Sequence, residues 1–466
     1  MTLQQIINIV RENFLLAIVG VIVLGILACL GYFVVYKKIL CGNKRPTKKQ
    51  IFTACLFIGY IIMVFGVTFL NRSSHPQRAI SLHFLSSYWE AWNRFSATSW
   101  QFVCLNIMMF IPLGILLPLL HKKFRNFVWM ITAGFLLTLT IETLQLLTNR
   151  GSFVLDDMFN NIMGAIIGYG LIMGGLTLLN GTGRKFGKAV GYFSPLLIVT
   201  MIFTGIFVSH SLQEFGNLAV APSFRQNMSD TQVNLDAELE SQGGFHPVYQ
   251  APGFSRDSAR EFVVNFLSSL NIDSTSLDID DYSNSAIYQT GSSPLYRMMI
   301  NFRDGSYTFT DCSSFNHSAV DVDEDTLLES LEQFGVDIPE GATFNRRETG
   351  SYEWIVDRET NGNQLIDGVI SCRYYSDGTI KNINNRLVTY DRVRNVPLKS
   401  ETEAYEELLK GRFRSWYPGD NIKTINIHEI ELGYQLDSKG FYQPVYIFQS
   451  TVNGLESSII IPAIIK

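Results

Sequence analysis

Residues Glu142–Tyr169 read ETLQLLTNRGSFVLDDMFNNIMGAIIGY, a stretch that places polar side chains among segments apolar enough to cross a bilayer. An ionisable group inside a bilayer costs roughly 2.5–3.5 kcal/mol unless it finds a partner or water. A group of such residues is therefore the first place to look for function. With one residue from an earlier apolar segment, the group, called the polar cluster below, comprises Asn106, Glu142, Gln145, Arg150, Asp156, Asp157, Asn160 and Asn161.

The two parts of the 466-residue chain differ sharply in charge. Residues 1–210 hold 17 Lys and Arg against 5 Asp and Glu, whereas residues 211–466 hold 20 against 37. We predict an α-helical membrane domain over residues 1–210, a polar linker over 211–253 and an α+β domain with antiparallel sheets over 254–466. The acidic part argues against nucleic-acid binding, which needs basic patches.

Six apolar runs are long enough to be transmembrane helices. If all six cross, the loops after the first, third and fifth runs share one side, and they hold 12 of the 17 basic residues. By the positive-inside rule that side is the cytoplasm, so the acidic domain and the polar cluster are expected on the extracytoplasmic side. The predicted spans are Asn13 to Tyr36, Ile51 to Leu70, Trp100 to Leu120, Phe127 to Leu147, Met158 to Leu179 and Gly191 to Ser209.

Helical spacing arranges the polar cluster into two faces. Glu142 and Gln145 are three residues apart and share a face, and Asp157 and Asn161 are four apart and do likewise. Arg150, in the short loop between the two helices, can pair with Asp157 or Glu142. Two interpretations stay open: a satisfied network that fixes helix packing without a ligand, or a binding pocket.

Four residues of the membrane domain also have a structural interpretation. Gly164 and Gly168 form a small-xxx-small pattern, which predicts close packing of the fifth span on the fourth. Pro112 frees a backbone carbonyl in the third span and predicts a kink. Asp156 opens the fifth span, where a carboxylate is expected to cap the N-terminus of its own helix.

These residues carry a resemblance to a known family. The sequences NIMMFIPLG (106–114), ETLQ (142–145) and RGSFVLDDMFNNIMGAIIGY (150–169) resemble the VanZ family, membrane proteins associated with resistance to the glycopeptide teicoplanin. The resemblance covers about residues 51–179. Val154 stands where the family often has a third acidic residue, and Leu82-His83-Phe84 stands in place of its proline-containing segment. The resemblance implies a polar signature of Asn106, Glu142, Gln145, Arg150, Asp156, Asp157, Asn161 and Gly164.

The acidic domain shows helices that are each followed by strand-like runs. Amphipathic periodicity predicts helices at Ser258 to Leu270, Asp325 to Phe334 and Ser400 to Phe413, the last opened by a capping box. Asp304-Gly305 and Asp377-Gly378 each predict a hairpin. A further strand pair, Ile425 to Leu436 with Gln443 to Val452, is followed by Leu455 to Ile461.

Three stretches of this domain resemble exported regulators of the YycI/YycH type and PepSY-like modules. They are YYSDGTIKNINNRLV (374–388), VPLKSETEAYEELLKGRF (396–413) and QPVYIFQSTVNG (443–454). The resemblance implies a binding or regulatory domain whose partner is a cell-surface protein or a wall component.

The sequence contains no motif for a metal, a cofactor or a nucleophilic enzyme. The seven His residues are scattered without paired ligand spacing, and no P-loop, Rossmann or nucleophile-elbow pattern occurs. We expect Cys312 and Cys372, the two cysteines of the acidic domain, to be free and buried rather than bridged.

Two functions are therefore expected as alternatives. In the first, a VanZ-like, non-enzymatic protein of the cell envelope binds a membrane lipid headgroup, a lipid-linked cell-wall intermediate or a glycopeptide in an outward-facing pocket. In the second, a membrane enzyme acts on a phospholipid-type or lipid-linked substrate through Glu142, Asp156 and Asp157.

Overall fold

The computed structural model describes residues 47–70, 80–179, 186–291, 295–415 and 422–465, with isolated helical positions between 11 and 26. The chain divides into two compact units. The first comprises Met1–Trp89 with Ala97–Gln213, and the second comprises Glu90–Ser96 with Glu214–Lys466.

Among the described residues, five helices are long and apolar enough to cross a membrane. They correspond to five of the six predicted spans and mostly begin or end a few residues beyond them, because polar residues at helix ends fall outside an apolar window. The first predicted span, Asn13 to Tyr36, lies largely outside the described residues, so the total of six stays a prediction. In chain order, with the short helix α2, the helices are α1 (Lys48–Phe65, continued by a π-helical turn, Gly66–Leu70), α2 (Ser86–Arg94), α3 (Ala97–Leu120), α4 (Phe127–Leu147), α5 (Leu155–Leu179) and α6 (Phe186–Leu212).

Glycines bring α3 and α5 into backbone contact. A Cβ atom built on Gly164 would lie 1.9 Å from the carbonyl oxygen of Ile107, and one on Gly168 would lie 2.0 Å from that of Ile111. Only a residue without a side chain fits at such distances, so the small-residue pattern does serve close packing. Its close partner is α3, not α4 as predicted, because the two glycines face the helix that runs parallel to α5. Helix α3 continues past Pro112.

The described residues of the second unit form one 14-stranded sheet with three α-helices. After two short strands of the first unit, β1 (Ile80–Ser81) and β2 (Phe153–Val154), the strands are β3 (Gln232–Leu235), β4 (Phe245–Gln250), β5 (Leu277–Asp281), β6 (Ser285–Thr290), β7 (Tyr296–Asn301), β8 (Tyr307–Asp311), β9 (Thr343–Glu348), β10 (Ser351–Asn361), β11 (Gln364–Tyr374), β12 (Ile380–Asn385), β13 (Val388–Pro397), β14 (Thr424–Leu436), β15 (Phe441–Val452) and β16 (Leu455–Pro462). The strand order in the sheet is β3-β14-β15-β4-β13-β11-β12-β8-β7-β6-β5, with β16 beside β15, β10 beside β11 and β9 beside β10. The pairings in this sheet are antiparallel except that of β3 with β14.

The predicted helices and hairpins of this unit are present. Helices α7 (Arg256–Ser269), α8 (Glu324–Glu332) and α9 (Glu401–Leu409) each precede a set of antiparallel strands. The Ser400–Glu403 capping box forms as expected. Strands β7 and β8 pair across the predicted turn, as do β11 and β12. A sheet-rich domain is therefore confirmed.

The predicted linker over 211–253 differs from the structure, because it contributes two strands to the sheet. Strand β4, FHPVYQ, pairs with β13 and with the start of β15. Strand β3, QVNL, pairs with β14. Both segments are short, four and six residues, so their strand conformation depends on pairing with distant residues, which local periodicity does not register.

Cys312 and Cys372 are both free, as predicted. Cys372 is buried within β11, and burial raises the pKa of its thiol to about 12, so it stays protonated at neutral pH. Cys312 is only half-buried, because it opens a 3₁₀ turn (Cys312–Asn316) at the end of β8.

Candidate functional site

The buried carboxylate of Asp156 caps helix α2. Its oxygens accept hydrogen bonds from the backbone N–H of Leu85 at 2.6 Å and of Ser87 at 2.7 Å, with the Ser86 hydroxyl at 3.3 Å. Asp156 lies in the first turn of α5, but it satisfies the free N–H groups of a different helix. The predicted cap of its own helix is thus corrected: the side chain is turned towards a segment about 70 residues earlier.

The same carboxylate holds a strained backbone position. Leu85 has φ of 64°, in the left-handed region. That conformation costs an L-residue roughly 1–2 kcal/mol, and it persists only where surrounding bonds determine it. The bond from the Leu85 N–H to Asp156 supplies such a constraint.

Glu142 binds the backbone of a short strand in the same region. It is 2% exposed, and its Oε2 accepts a hydrogen bond from the backbone N–H of Val154 at 3.3 Å. Val154 belongs to a two-residue strand, β2 (Phe153–Val154), which pairs in parallel with β1 (Ile80–Ser81). Glu142 and Asp156 therefore fix the backbone around residues 80–87, which we call the elbow segment.

Two further members of the cluster bind the end of α1. Gln145 donates from Nε2 to the carbonyl oxygen of Thr68 at 3.3 Å, and Arg150 donates from Nη1 to that of Phe69 at 2.7 Å. The last carbonyls of a helix lack partners within the helix, and a cation near them is favourable. These bonds join the C-terminal ends of α1 and α4.

The predicted pairing of Arg150 with Asp157 or Glu142 is not found. All three residues are described, and the structure records no ion pair between Arg150 and either carboxylate. Arg150 is exposed, whereas Glu142 is buried, so the chain does not bring the charges together.

The remaining cluster residues bond between helices. Asn106 on α3 donates from Nδ2 to Oδ1 of Asp157 on α5. Asn161, one turn further along α5, donates from Nδ2 to the hydroxyl of Thr138 on α4 at 2.9 Å. Asp157 and Asn161, which were predicted to share a face of α5, therefore bond to two different helices, α3 and α4.

Tyr88 also belongs to the site, although it is not among the site residues predicted from the sequence. Its hydroxyl donates to Oδ1 of Asn160, which ties α2 to α5. Burial raises the pKa of this hydroxyl to about 12, and the nearby charge of Asp156 adds to the rise, so it remains a donor. No local sequence signal marks this contact, which spans 72 residues.

Two buried amide atoms of the polar cluster lack a hydrogen-bond partner among the described residues. They are Nδ2 of Asn160 and Oδ1 of Asn161, on adjacent residues of α5. A buried polar atom without a partner costs about 1–3 kcal/mol, and one donor with one acceptor suits a bound water or a polar ligand group.

The chemistry available here is hydrogen bonding and charge recognition. Asp156 and Glu142 are buried and already accept backbone N–H groups. Among the described residues no group of three or more His, Cys, Asp or Glu side chains is placed to hold a metal ion.

Comparison with known protein families identifies part of the first unit. Residues 57–179 match the family model described as VanZ/LLP1. That segment includes α3, α4, α5, the second half of α1 and the whole polar cluster. The resemblance to the VanZ family is therefore confirmed over it, and the first unit contains a VanZ-like membrane domain. The resemblance of the sheet-rich unit to YycI/YycH and PepSY-like modules stays a prediction. No match was found among curated proteins or among solved structures.

Proposed function

We propose that this protein is a VanZ-type membrane protein of the bacterial cell envelope that binds an anionic headgroup of a lipid or lipid-linked wall intermediate. In this proposal the binding contributes to resistance to glycopeptides of the teicoplanin type. The observation that carries it is Arg150, the exposed cation of the polar cluster. A guanidinium has five N–H donors. Among the described residues Arg150 makes one hydrogen bond, to the carbonyl oxygen of Phe69, which leaves donors for an anion.

The elbow segment and Trp89 support a site at the membrane surface. Ile80, Leu82 and Phe84 alternate along the chain and are 55%, 64% and 57% exposed, and Trp89 is 55% exposed. Exposed apolar side chains with a nearby aromatic ring suit the boundary between headgroups and acyl chains. Glu142 and Asp156 would hold this surface in place beside a headgroup.

The unmatched amide atoms are suited to an enclosed water beside the site. Asn160 offers a donor and Asn161 an acceptor, and both side chains are at most 1% exposed. The enzymatic alternative needs Glu142, Asp156 and Asp157 to reach a substrate. Since the first two are at most 2% exposed and bonded to backbone, the geometry favours binding over catalysis.

Lipid identification tests the proposed function. We expect an anionic lipid to co-purify with the wild-type protein and to fall at least about tenfold in Arg150→Ala, because hydrogen bonds to a charged group contribute roughly 1.5–3 kcal/mol. Mass spectrometry of extracted lipids provides the measurement. The matched control is Arg125→Ala, an exposed arginine that bonds the Pro118 carbonyl near the opposite ends of the helices. Equal lipid content in all three proteins would contradict the proposal.

In this proposal residues 211–466 lie outside the cytoplasm. The supporting observation is that Lys48, Lys49 and the basic turn Lys122–Arg125 lie at one end of the spans, whereas the polar cluster lies at the other. Helix α6 ends on the cluster side if each helix crosses once. An alkaline phosphatase fusion after Ser209 is then expected to be active, and one after Lys123 inactive. The reverse pattern would invert the topology.

A further inference from the structure

An apolar groove runs along the membrane-spanning part of the first unit. It lies between α3, α5 and α6 and has a volume of about 520 Å³. Its lining includes Cys104, Ile111, Ile167, Leu196, Phe203 and Val208. All of these residues belong to helices long and apolar enough to cross a membrane. The groove therefore lies at a depth where its neighbours are hydrocarbon chains.

The groove follows a stretch in which α6 packs closely on α5. In the first part of α6 the fit is tight: a Cβ atom on Gly170 would lie 2.1 Å from the carbonyl oxygen of Tyr192. From Leu196 onward α6 contributes to the groove lining instead. Pro195 stands between these two regions inside the helix. A proline inside a helix removes one backbone hydrogen bond and is a usual place for a change of direction.

Aromatic rings bound the groove at the end nearer the polar cluster. Trp100 packs edge-on against Phe203 at 5.8 Å between ring centroids, and its ring lies 5.6 Å from that of Phe207. Two of the α3 residues in the lining, Cys104 and Ile107, flank Asn106 of the cluster in sequence. The groove thus extends from the depth of the cluster towards the middle of the membrane.

The dimensions match a single hydrocarbon chain. The lining residues of α6 run from Leu196 to Val208, which at 1.5 Å per residue is about 18 Å of helix. One leaflet contributes about 15 Å to the hydrocarbon core. A chain of ordinary phospholipid length fills such a groove, whereas a much longer polyprenyl chain would extend beyond it.

We propose that this groove binds one acyl chain of a phospholipid from the leaflet on the polar-cluster side. The inference deepens the proposed function and rests on it for the headgroup, which the same lipid would present to the cluster. The chain contacts themselves depend only on the shape and apolar lining of the groove.

Photo-crosslinking of the full-length protein tests the inference. The protein is reconstituted with two phospholipid probes that carry a diazirine on the acyl chain, one with an anionic and one with a neutral headgroup. We expect both probes to label peptides from α3 and α6 that contain Cys104 and Phe203, in preference to peptides from the exposed surface of α4 around Leu136. Thr200→Trp, which fills the groove, is expected to reduce this labelling several-fold.

The matched control is Ile202→Trp, two residues further along α6, where the side chain is 53% exposed and outside the groove lining. It should leave the labelling unchanged. Labelling spread evenly over all exposed helix surfaces, labelling insensitive to Thr200→Trp, or displacement by a polyprenyl phosphate but not by unlabelled phospholipid would each overturn the inference. Equal labelling by the two probes would support the groove even if Arg150 proved not to select an anionic headgroup, so the two proposals fail separately.

Discussion

Replacing Gly168 with alanine is expected to destabilise the membrane domain by about 3 kcal/mol, the upper part of the usual range for overpacking. The added methyl carbon would lie 2.0 Å from the carbonyl oxygen of Ile111 and 3.0 Å from Cα of Gly114. Both atoms are backbone, so neither can move without separating α3 from α5. Thermal unfolding of the purified protein, or its amount in the membrane fraction, measures the loss.

Gly175→Ala on the same helix is the matched control. A Cβ atom at Gly175 meets nothing within 4 Å. Alanine is the better helix former by up to about 1 kcal/mol, so this variant should be as stable as the wild type or more so. If Gly168→Ala and Gly175→Ala had the same effect, the close approach of α3 and α5 would be refuted.

Replacing Asp156 with alanine is expected to release the elbow segment. The change leaves the N–H groups of Leu85 and Ser87 without their acceptor, at a cost of about 1–3 kcal/mol for each. It also removes the constraint on the left-handed backbone at Leu85. Hydrogen exchange of a peptide covering residues 80–94 should therefore become much faster, while peptides from the middle of α5 keep their protection.

Ser86→Ala provides the comparison for this change. It removes only the 3.3 Å contact between the serine hydroxyl and Asp156 and leaves both backbone bonds intact. We expect little change in exchange over residues 80–94. Unchanged exchange in Asp156→Ala as well would show that the carboxylate does not cap α2.

Local patterns in the sequence predicted most of the secondary structure. Five spans follow from apolar length, and the hairpins β7–β8 and β11–β12 follow from their Asp-Gly turns. The capping box of α9 follows from Ser400 and Glu403. Each of these signals lies within a few residues of the structure it specifies, which is why a single sequence suffices for them.

The contacts of the polar cluster could not be predicted in the same way. The residues themselves stand out because polar groups are costly in a membrane, but their partners are far away in the chain. Asp156 binds the N–H of Leu85, Arg150 binds a carbonyl at Phe69, and Asn160 binds Tyr88. Every residue has the same backbone groups, so the sequence does not show which N–H or carbonyl a side chain will bind. The predicted ion pair of Arg150 and the predicted cap by Asp156 therefore used partners that are close in the sequence.

Antibiotic susceptibility tests whether the polar cluster is the functional site of the proposed VanZ-type protein. A susceptible bacterium would express the wild type, Arg150→Ala, Asp157→Ala and the control Arg125→Ala at matched membrane levels. We expect the wild type and Arg125→Ala to raise the inhibitory concentration of teicoplanin. We expect Arg150→Ala, which removes the exposed cation, and Asp157→Ala, which removes the partner of Asn106, to return it to the level of the empty vector. Full resistance in both cluster variants would show that the polar cluster is not the functional site.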